Sequence, residues 1–441
     1  MIYKAFKSYL QFLHDKIYYK NTYTINKENI PADGTSLLIV SNHQNTLNDA
    51  LGILFSIRDR KPNFITRGDI FTISPIASKF FRAIGLLPSF RLITEGVEQL
   101  GKNQGTFKIS EEALVNGTTV VMYPEAGHQD KRWLGTFSFG YTKLAFEAAE
   151  LSGFEREIFI LPSCNHYSDY FGIRNDFMVK FGTPISIKPY YELYKTKPRT
   201  AQREVNKLVR EQISSLMLNI DDLENYDAID FLRITFGEEH AGRRGYDATY
   251  LPDRLESDKQ MYAQLKEAQC EDANRVGQLY RGALELKADI RKMGVSDKHL
   301  AVKTGVWATV IKALGLLLLL PLGIASMWPS LFIYGAGRGA YYKFSKDRMF
   351  EGTFMYAISA LFTIPICSII NLVLVWVYVN WWSALLYVLL TPAILIFAWN
   401  YAKWVKRLWQ DIKSVANKKQ MSILRNKYNT LHNDLFEILD R

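Results

Sequence analysis

Cysteine is scarce in this chain. Three occur in 441 residues, Cys164, Cys270 and Cys367, far apart and without C-x-x-C spacing. Neither a disulfide framework nor a thiol zinc site is indicated, and a reducing, cytoplasm-facing location fits best. The stretch MIYKAFKSYLQFLHDKIYYKN lacks the unbroken apolar core of a secretory signal, because Lys4, Lys7, His14, Asp15 and Lys16 interrupt it. Several catalytic signatures are also missing. In GTFSFGYT the glycines have P-loop spacing, but Tyr141 stands where the phosphate-binding lysine belongs. There is no G-x-S-x-G elbow and no H-E-x-x-H. Nucleotide hydrolysis, serine-hydrolase chemistry and zinc proteolysis therefore lose their usual support. The basic residues are dispersed and form no nucleic-acid recognition motif, so nucleic acid is not an expected partner. No metal or bound cofactor is implied.

Acidic residues are outnumbered, giving a formal charge of +10. Such a surplus calls for an acidic partner: nucleic acid, an anionic membrane surface or phosphorylated substrates. Charge itself disappears in two tracts, from Ala313 to Gly337 and from Gly352 to Ala402. A bilayer-spanning helix needs about 20 predominantly apolar residues. The second tract has room for two spans joined near Asn380, Trp381 and Trp382, which makes this an expected integral membrane protein. Arg338, Lys343, Lys346 and Arg348 lie between the tracts, and Lys403, Lys406, Arg407 and Lys413 follow the second. Both places should face the cytoplasm. The first tract is then expected to enter and return, bending at Pro321, or not to span at all, while the second forms a helical hairpin.

The first half alternates strand and helix patterns. Apolar strand candidates are Ser36–Val40, Asn63–Thr66, Thr118–Tyr123, Glu157–Pro162 and Phe177–Phe181, with helices over Ile109–Asn116 and Tyr141–Leu151. This alternation predicts an α/β domain, a sheet flanked by helices. The expected organisation is an amphipathic helix over 1–24, the α/β domain over 25–220, a charged helical arm over 221–303, a membrane region over 304–404 and a basic cytoplasmic tail over 405–441. Met261, Leu265, Leu279, Leu286 and Ile290 mark the arm as a long helix. The first helix alternates aromatics with lysines, which suits either a lipid interface or packing on its own domain.

Polar residues gather at four strand ends. The first is Asn42-His43 with Asp49, after Leu37-Leu38-Ile39-Val40. A neutral imidazole takes a proton from a hydroxyl, and a carboxylate on its other nitrogen fixes the tautomer. Such a dyad needs no protein nucleophile and suits attack of a substrate hydroxyl on an activated acyl group. The second is IGLLPSFRLITEG, where Arg91 is placed to clamp a phosphate. The third is TVVMYPEAGHQDKRWLG, in which Glu125, Gly127, Lys131 and Arg132 follow a strong strand and would converge on an anion. The fourth, IFILPSCNHY, brings Pro162 and His166.

In this order the blocks resemble the glycerolipid acyltransferase superfamily, which includes lysophosphatidic acid and glycerol-3-phosphate acyltransferases. NHQNTLND is similar to that family's N-H-x-x-x-x-D motif, which implies His43 as general base and Asp49 as its partner. Five residues separate the two here, where the family usually has four, so the loop must bulge by one for the dyad to form. RGDIFTISPIASKFFRAIGLLPSFR resembles the block whose terminal arginine binds the acceptor phosphate, Arg91 here, although Phe90 stands where an aspartate is common. YPEAGHQ resembles the F-P-E-G-T-R block: Glu125 matches, Ala126 replaces the glycine, and His128 falls at the arginine. ILPSCNHY resembles the block built around a proline that shapes the acyl-donor site, Pro162 here.

The resemblance spans about residues 25 to 190 and implies transfer of a fatty acyl group from a thioester, of coenzyme A or acyl carrier protein, to a hydroxyl of lysophosphatidic acid. Asn42, Arg91, Glu125, Gly127, His128 and Pro162 are the implied substrate-binding residues. The tail segment KDRMFEGTFMY is similar to larger microbial members that acylate glycerol-3-phosphate or dihydroxyacetone phosphate, which keeps the acceptor open. A non-phosphate lipid acceptor is a further alternative. A membrane lipid-binding scaffold is another, against which the base-acid set argues.

Overall fold

Leu37, Leu38, Ile39 and Val40 are completely buried, because this strand lies inside a sheet covered on both faces. Each such side chain contributes roughly 1.5–3 kcal/mol through burial. The computed structural model describes residues 2–57, 60–68, 71, 75–89, 97–125, 127, 131–345 and 347–440. They form two compact units, Met1–Asn219 with Asp347–Thr353, and Ile220–Lys346 with Phe354–Arg441.

Unit 1 begins with α1 (Ile2–Phe12), which continues as a π-helical segment over Leu13–Tyr18. Leu13, His14, Ile17 and Tyr18 are buried, and His14 packs edge-on against Phe55 and Phe177, so this helix packs on its own domain. There follow β1 (Thr22–Ile25), β2 (Leu37–Ser41), α2 (Thr46–Ser56), β3 (Asn63–Arg67), α3 (Pro75–Ala83), β4 (Leu86–Ser89), α4 (Val97–Val115) and β5 (Val120–Met122). The unit continues with α5 (Gly140–Leu151), β6 (Phe159–Tyr167), β7 (Phe177–Phe181), β8 (Ile185–Ser186), α6 (Tyr191–Thr196) and α7 (Pro198–Leu216).

The sheet runs β1-β7-β6-β2-β5-β3-β4, with β8 also on β6. It is mixed: β6 pairs antiparallel with β7 and β8, and the other pairings are parallel. A core of Leu38, Val40, Tyr141, Phe146, Ile160 and Val205 seals one face under α5 and α7. Three expectations need correction. β6 does not end in a corner at Pro162, because antiparallel pairing from Ser163↔Phe181 to Tyr167↔Phe177 carries the strand five residues further. Residues 22–25, assigned by sequence mostly to the amino-terminal helix, pair with β7 and enter the sheet. The helix expected over Ile109–Asn116 starts at Val97.

Unit 2 opens with α8 (Tyr226–Arg243), α9 (Leu251–Glu271), α10 (Ala273–Met293) and α11 (Lys298–Ala301). The expected long helix is thus several. Gly245, at φ 79°, sits in the turn after α8. Asp272 caps α10 by accepting from the Arg275 N–H at 3.0 Å. The carboxyl-terminal α17 (Lys418–Leu439) packs on α10 through buried Leu424, Leu431 and Leu435, so its apolar stripe is a core face.

Between them lie α12 (Val306–Leu318), α13 (Leu320–Phe344), α14 (Phe350–Ile358), α15 (Ile364–Tyr378) and α16 (Trp381–Ala416). Among the described residues, two helical stretches are long and apolar enough to cross a membrane, Phe350–Tyr378 and Trp381–Ala416. The α12–α13 pair passes the same test only together, bent by 55° at the break before Pro321. α15 and α16 form a packed hairpin joined at Val379 and Asn380, whose side chain caps α16 by accepting from the Ser383 N–H at 2.8 Å.

Candidate active site

Strand register explains why distant residues meet. Val40 on β2 pairs with Met122 on β5. Three residues beyond each stand His43 and Glu125, and the His43 N–H donates to Glu125 Oε1 at 2.9 Å. The other neighbour, β6, pairs Val40 with Pro162, and three residues on is Asn165. Its N–H donates to Asn42 Oδ1 at 2.7 Å, while Asn42 Nδ2 donates to its carbonyl at 3.0 Å. The site thus gathers at the carboxyl ends of central parallel strands, where α/β sheets open a crevice.

His43 Nδ1 lies 2.9 Å from Asp49 Oδ2. A carboxylate only accepts, so Nδ1 carries the proton and Nε2 is the basic nitrogen. Asp49 is fully buried in the first turn of α2. Its Oδ2 also accepts the N–H groups of Gln44 at 2.8 Å and Asn45 at 2.7 Å. Its Oδ1 accepts the Tyr167 hydroxyl at 2.6 Å. Four donors on one carboxylate satisfy a charge that would otherwise be very costly away from water. The bulge required by the five intervening residues is present: Thr46 adopts φ 42°, a left-handed conformation rare for a β-branched residue. The Tyr123 ring stacks on the imidazole, 4.3 Å between centroids at 21°.

Glu125 is a bridge within the site. Oε1 accepts from His43 and Oε2 accepts the Gly135 N–H at 2.8 Å. Burial pushes its pKa above the usual carboxylate range, opposed by those two N–H groups. A raised folded value means the native state holds its proton to higher pH than the unfolded chain. Stability contributed here is therefore lost as pH rises from the ordinary glutamate range through the raised value. Glu125→Gln is expected to abolish this pH-dependent fall. Because its amide nitrogen cannot accept an N–H, it should also cost about 1–3 kcal/mol. Thermal midpoints of both proteins across pH 4 to 8 check this, and parallel curves would sink it.

The other expected site residues fare differently. Asn42 is fully buried with both amide atoms engaged by Asn165, so it latches β2 to β6 and does not face a substrate. Pro162 and His166 lie within β6, not in a loop, and both are buried. Arg132 is also buried and donates through Nη2 to the Tyr167 carbonyl at 2.8 Å, so it braces that strand end. Gly127 is half-buried, and a Cβ there would meet only the Glu125 carbonyl at 4.0 Å. Arg91 and His128 lie outside the described residues. Tyr123, Tyr167 and Asn165 went unnoticed in sequence, although they stand inside YPEAGHQ and ILPSCNHY.

Residues 22–165 match the family model for Acyltransferase. The chain carries an acyltransferase domain. That match covers β1 through most of β6, so His43, Asp49 and Glu125 all fall inside it. No curated protein matches the chain. Five solved chains do. One is the 1-acyl-sn-glycerophosphate (LPA) acyltransferase PlsC from Thermotoga maritima, 16% identical, covering 49% of this chain and 79% of that one with a TM-score of 0.35. The acyltransferase domain thus occupies the first part of unit 1, and the long helical unit 2 lies outside the matched residues.

Proposed function

We propose that this acyltransferase moves a fatty acyl group from a thioester of coenzyme A or acyl carrier protein to the free hydroxyl of lysophosphatidic acid. The observation that carries the reading is the His43–Asp49 dyad, held at the end of a central strand with its proton fixed on Nδ1. His43 Nε2 takes the acceptor's hydroxyl proton as that oxygen attacks the thioester carbonyl. The carbon–sulfur bond then breaks, and the leaving thiolate takes the proton back from the imidazolium. Asp49 stabilises that imidazolium, and Arg91 is assigned to the acceptor phosphate. No cofactor is required beyond the thioester itself.

The apolar stretches Phe350–Tyr378 and Trp381–Ala416 suit a substrate that partitions into a bilayer, and the net charge of +10 suits an anionic lipid surface. The basic residues flanking them favour a cytoplasmic catalytic face in the cell membrane. Labelling of a cysteine placed at residue 441 from the outer side would overturn that orientation.

The test of the reaction is acyl transfer by purified protein in lipid, with labelled acyl thioester and separate offers of lysophosphatidic acid, glycerol-3-phosphate, dihydroxyacetone phosphate and a phosphate-free lysolipid. Turnover with the first supports the reading. Turnover only with another acceptor reassigns it, and a weak effect of Arg91→Ala would favour the acceptor without phosphate.

A further inference from the structure

The helix that carries Asp49 does not cap itself. Asn45 precedes α2, yet its side chain accepts none of the helix's backbone N–H groups. Its Oδ1 accepts from Asn48 Nδ2 at 3.2 Å and its Nδ2 donates to the Tyr170 carbonyl at 3.1 Å. A helix start leaves its first N–H groups without internal partners, and each buried one needs an acceptor. Asp49 Oδ2 accepts the N–H groups of Gln44 and Asn45, which lead into the helix, and the Asn45 carbonyl accepts that of Asn48, in the first turn, at 2.9 Å. The Leu47 N–H, in the first turn, donates to Thr353 Oγ1 at 3.1 Å.

Thr353 is separated from Leu47 by 306 positions and belongs to Asp347–Thr353, the segment of the second half of the chain that is part of unit 1. Its hydroxyl also bonds the Thr46 hydroxyl, and Thr46 Oγ1 approaches the Met349 carbonyl at 3.5 Å. These contacts line up in one direction: Leu47 N–H to Thr353, Thr353 O–H to Thr46, Thr46 O–H to Met349. Each threonine hydroxyl then accepts once and donates once. Thr46 is the residue held at φ 42°, so the contact falls on the strained point of the catalytic loop. The rest of the segment is fastened nearby. The Tyr18 hydroxyl donates to the Gly352 carbonyl at 3.2 Å, and the Arg348 guanidinium lies 3.7 Å over the Phe171 ring. A Cβ on Gly352 would meet Asn45 Oδ1 at 3.0 Å and Asn48 Nδ2 at 3.1 Å, so the backbone approaches the loop closely.

We propose that Thr353 is a positioning residue for acyl transfer, a cap supplied from the distant half of the chain that fixes the bulged turn 44–46 and so aligns Asp49 with His43. The role rests on the reading of His43 as general base. Thr353 touches neither member of the dyad, so it acts through Thr46 and Leu47. Thr353 also stands in the first turn of Phe350–Tyr378, one of the stretches long enough to cross a membrane.

The test compares wild type, Thr353→Val, Thr353→Ser and His43→Ala as full-length proteins in lipid vesicles, with acyl-coenzyme A and lysophosphatidic acid. Valine keeps the shape and removes the hydroxyl; serine keeps the hydroxyl. Thr353→Val is expected to lower kcat by about ten- to a hundredfold, the scale of a loss of alignment near 1 Å, with KM for both substrates within about twofold. Thr353→Ser should stay within about threefold of wild type, and His43→Ala should be at background. If Thr353→Val turns over like wild type while His43→Ala is dead, the cap has no role in catalysis. If valine and serine are equally impaired, or if only KM rises, the hydroxyl does not position the dyad. If His43→Ala is active, the underlying reading fails instead.

Discussion

Alanine at position 43 is expected to lower kcat by at least a hundred- to ten-thousandfold, the usual worth of a positioned general base. The fold should survive. The imidazole is 19% exposed, stacks on the Tyr123 ring and bonds Asp49. The backbone N–H that ties the turn to Glu125 is unchanged by the substitution. Asp49 keeps its bonds from Gln44, Asn45 and Tyr167, so the stability cost is about 1 kcal/mol. The checks are kcat at saturating thioester and the thermal midpoint of the same preparation. A stable protein without turnover supports the base; one that retains most of its kcat removes His43 from the mechanism.

Much of this site was legible because it follows from spacing along strands. Leu37–Val40 reads as a buried strand, and a histidine three residues past its end must sit at the sheet's edge of crevice. The same holds for Glu125 after Val120–Met122. Bulged geometry was also foreseeable, since five residues must fit between His43 and Asp49. Asn42 was misread because residue type does not reveal which way an amide points: its partner, Asn165, is supplied by a parallel neighbour 123 positions away. Arg132 has a second role that was hidden for a related reason. A cation beside a catalytic motif looks like an anion site, but the sequence does not show that the Tyr167 and Ser168 carbonyls at the end of β6 engage its Nη2. The extent of β6 was hidden by Pro162, a residue that normally argues against a strand interior. The cap from Thr353 had no local signal at all, because nothing near residue 353 in sequence names a helix that starts at Thr46.

Asp49→Ala is expected to be the most damaging single change, in stability as well as in rate. The side chain is fully buried and accepts from Gln44, Asn45, His43 and Tyr167, so alanine strands four donors at once. Each unsatisfied buried donor costs about 1–3 kcal/mol, and partial relaxation of the loop brings the expected total to roughly 3–5 kcal/mol. Asparagine separates this structural role from the chemical one. Its single carbonyl oxygen, placed at Oδ2, still accepts the two backbone N–H groups, and the turn should hold at a smaller cost. At Oδ1, however, its NH2 group would meet the Tyr167 hydroxyl, which can turn to accept. What asparagine lacks is charge: its oxygen at Oδ2 still accepts the Nδ1–H of His43, but it does not stabilise an imidazolium, so kcat should fall by about a hundredfold or more. The measurement is kcat for both variants alongside thermal midpoints. If Asp49→Asn keeps both stability and near-normal turnover, the negative charge of Asp49 has no part in the chemistry and the residue serves to hold the turn and the imidazole in place.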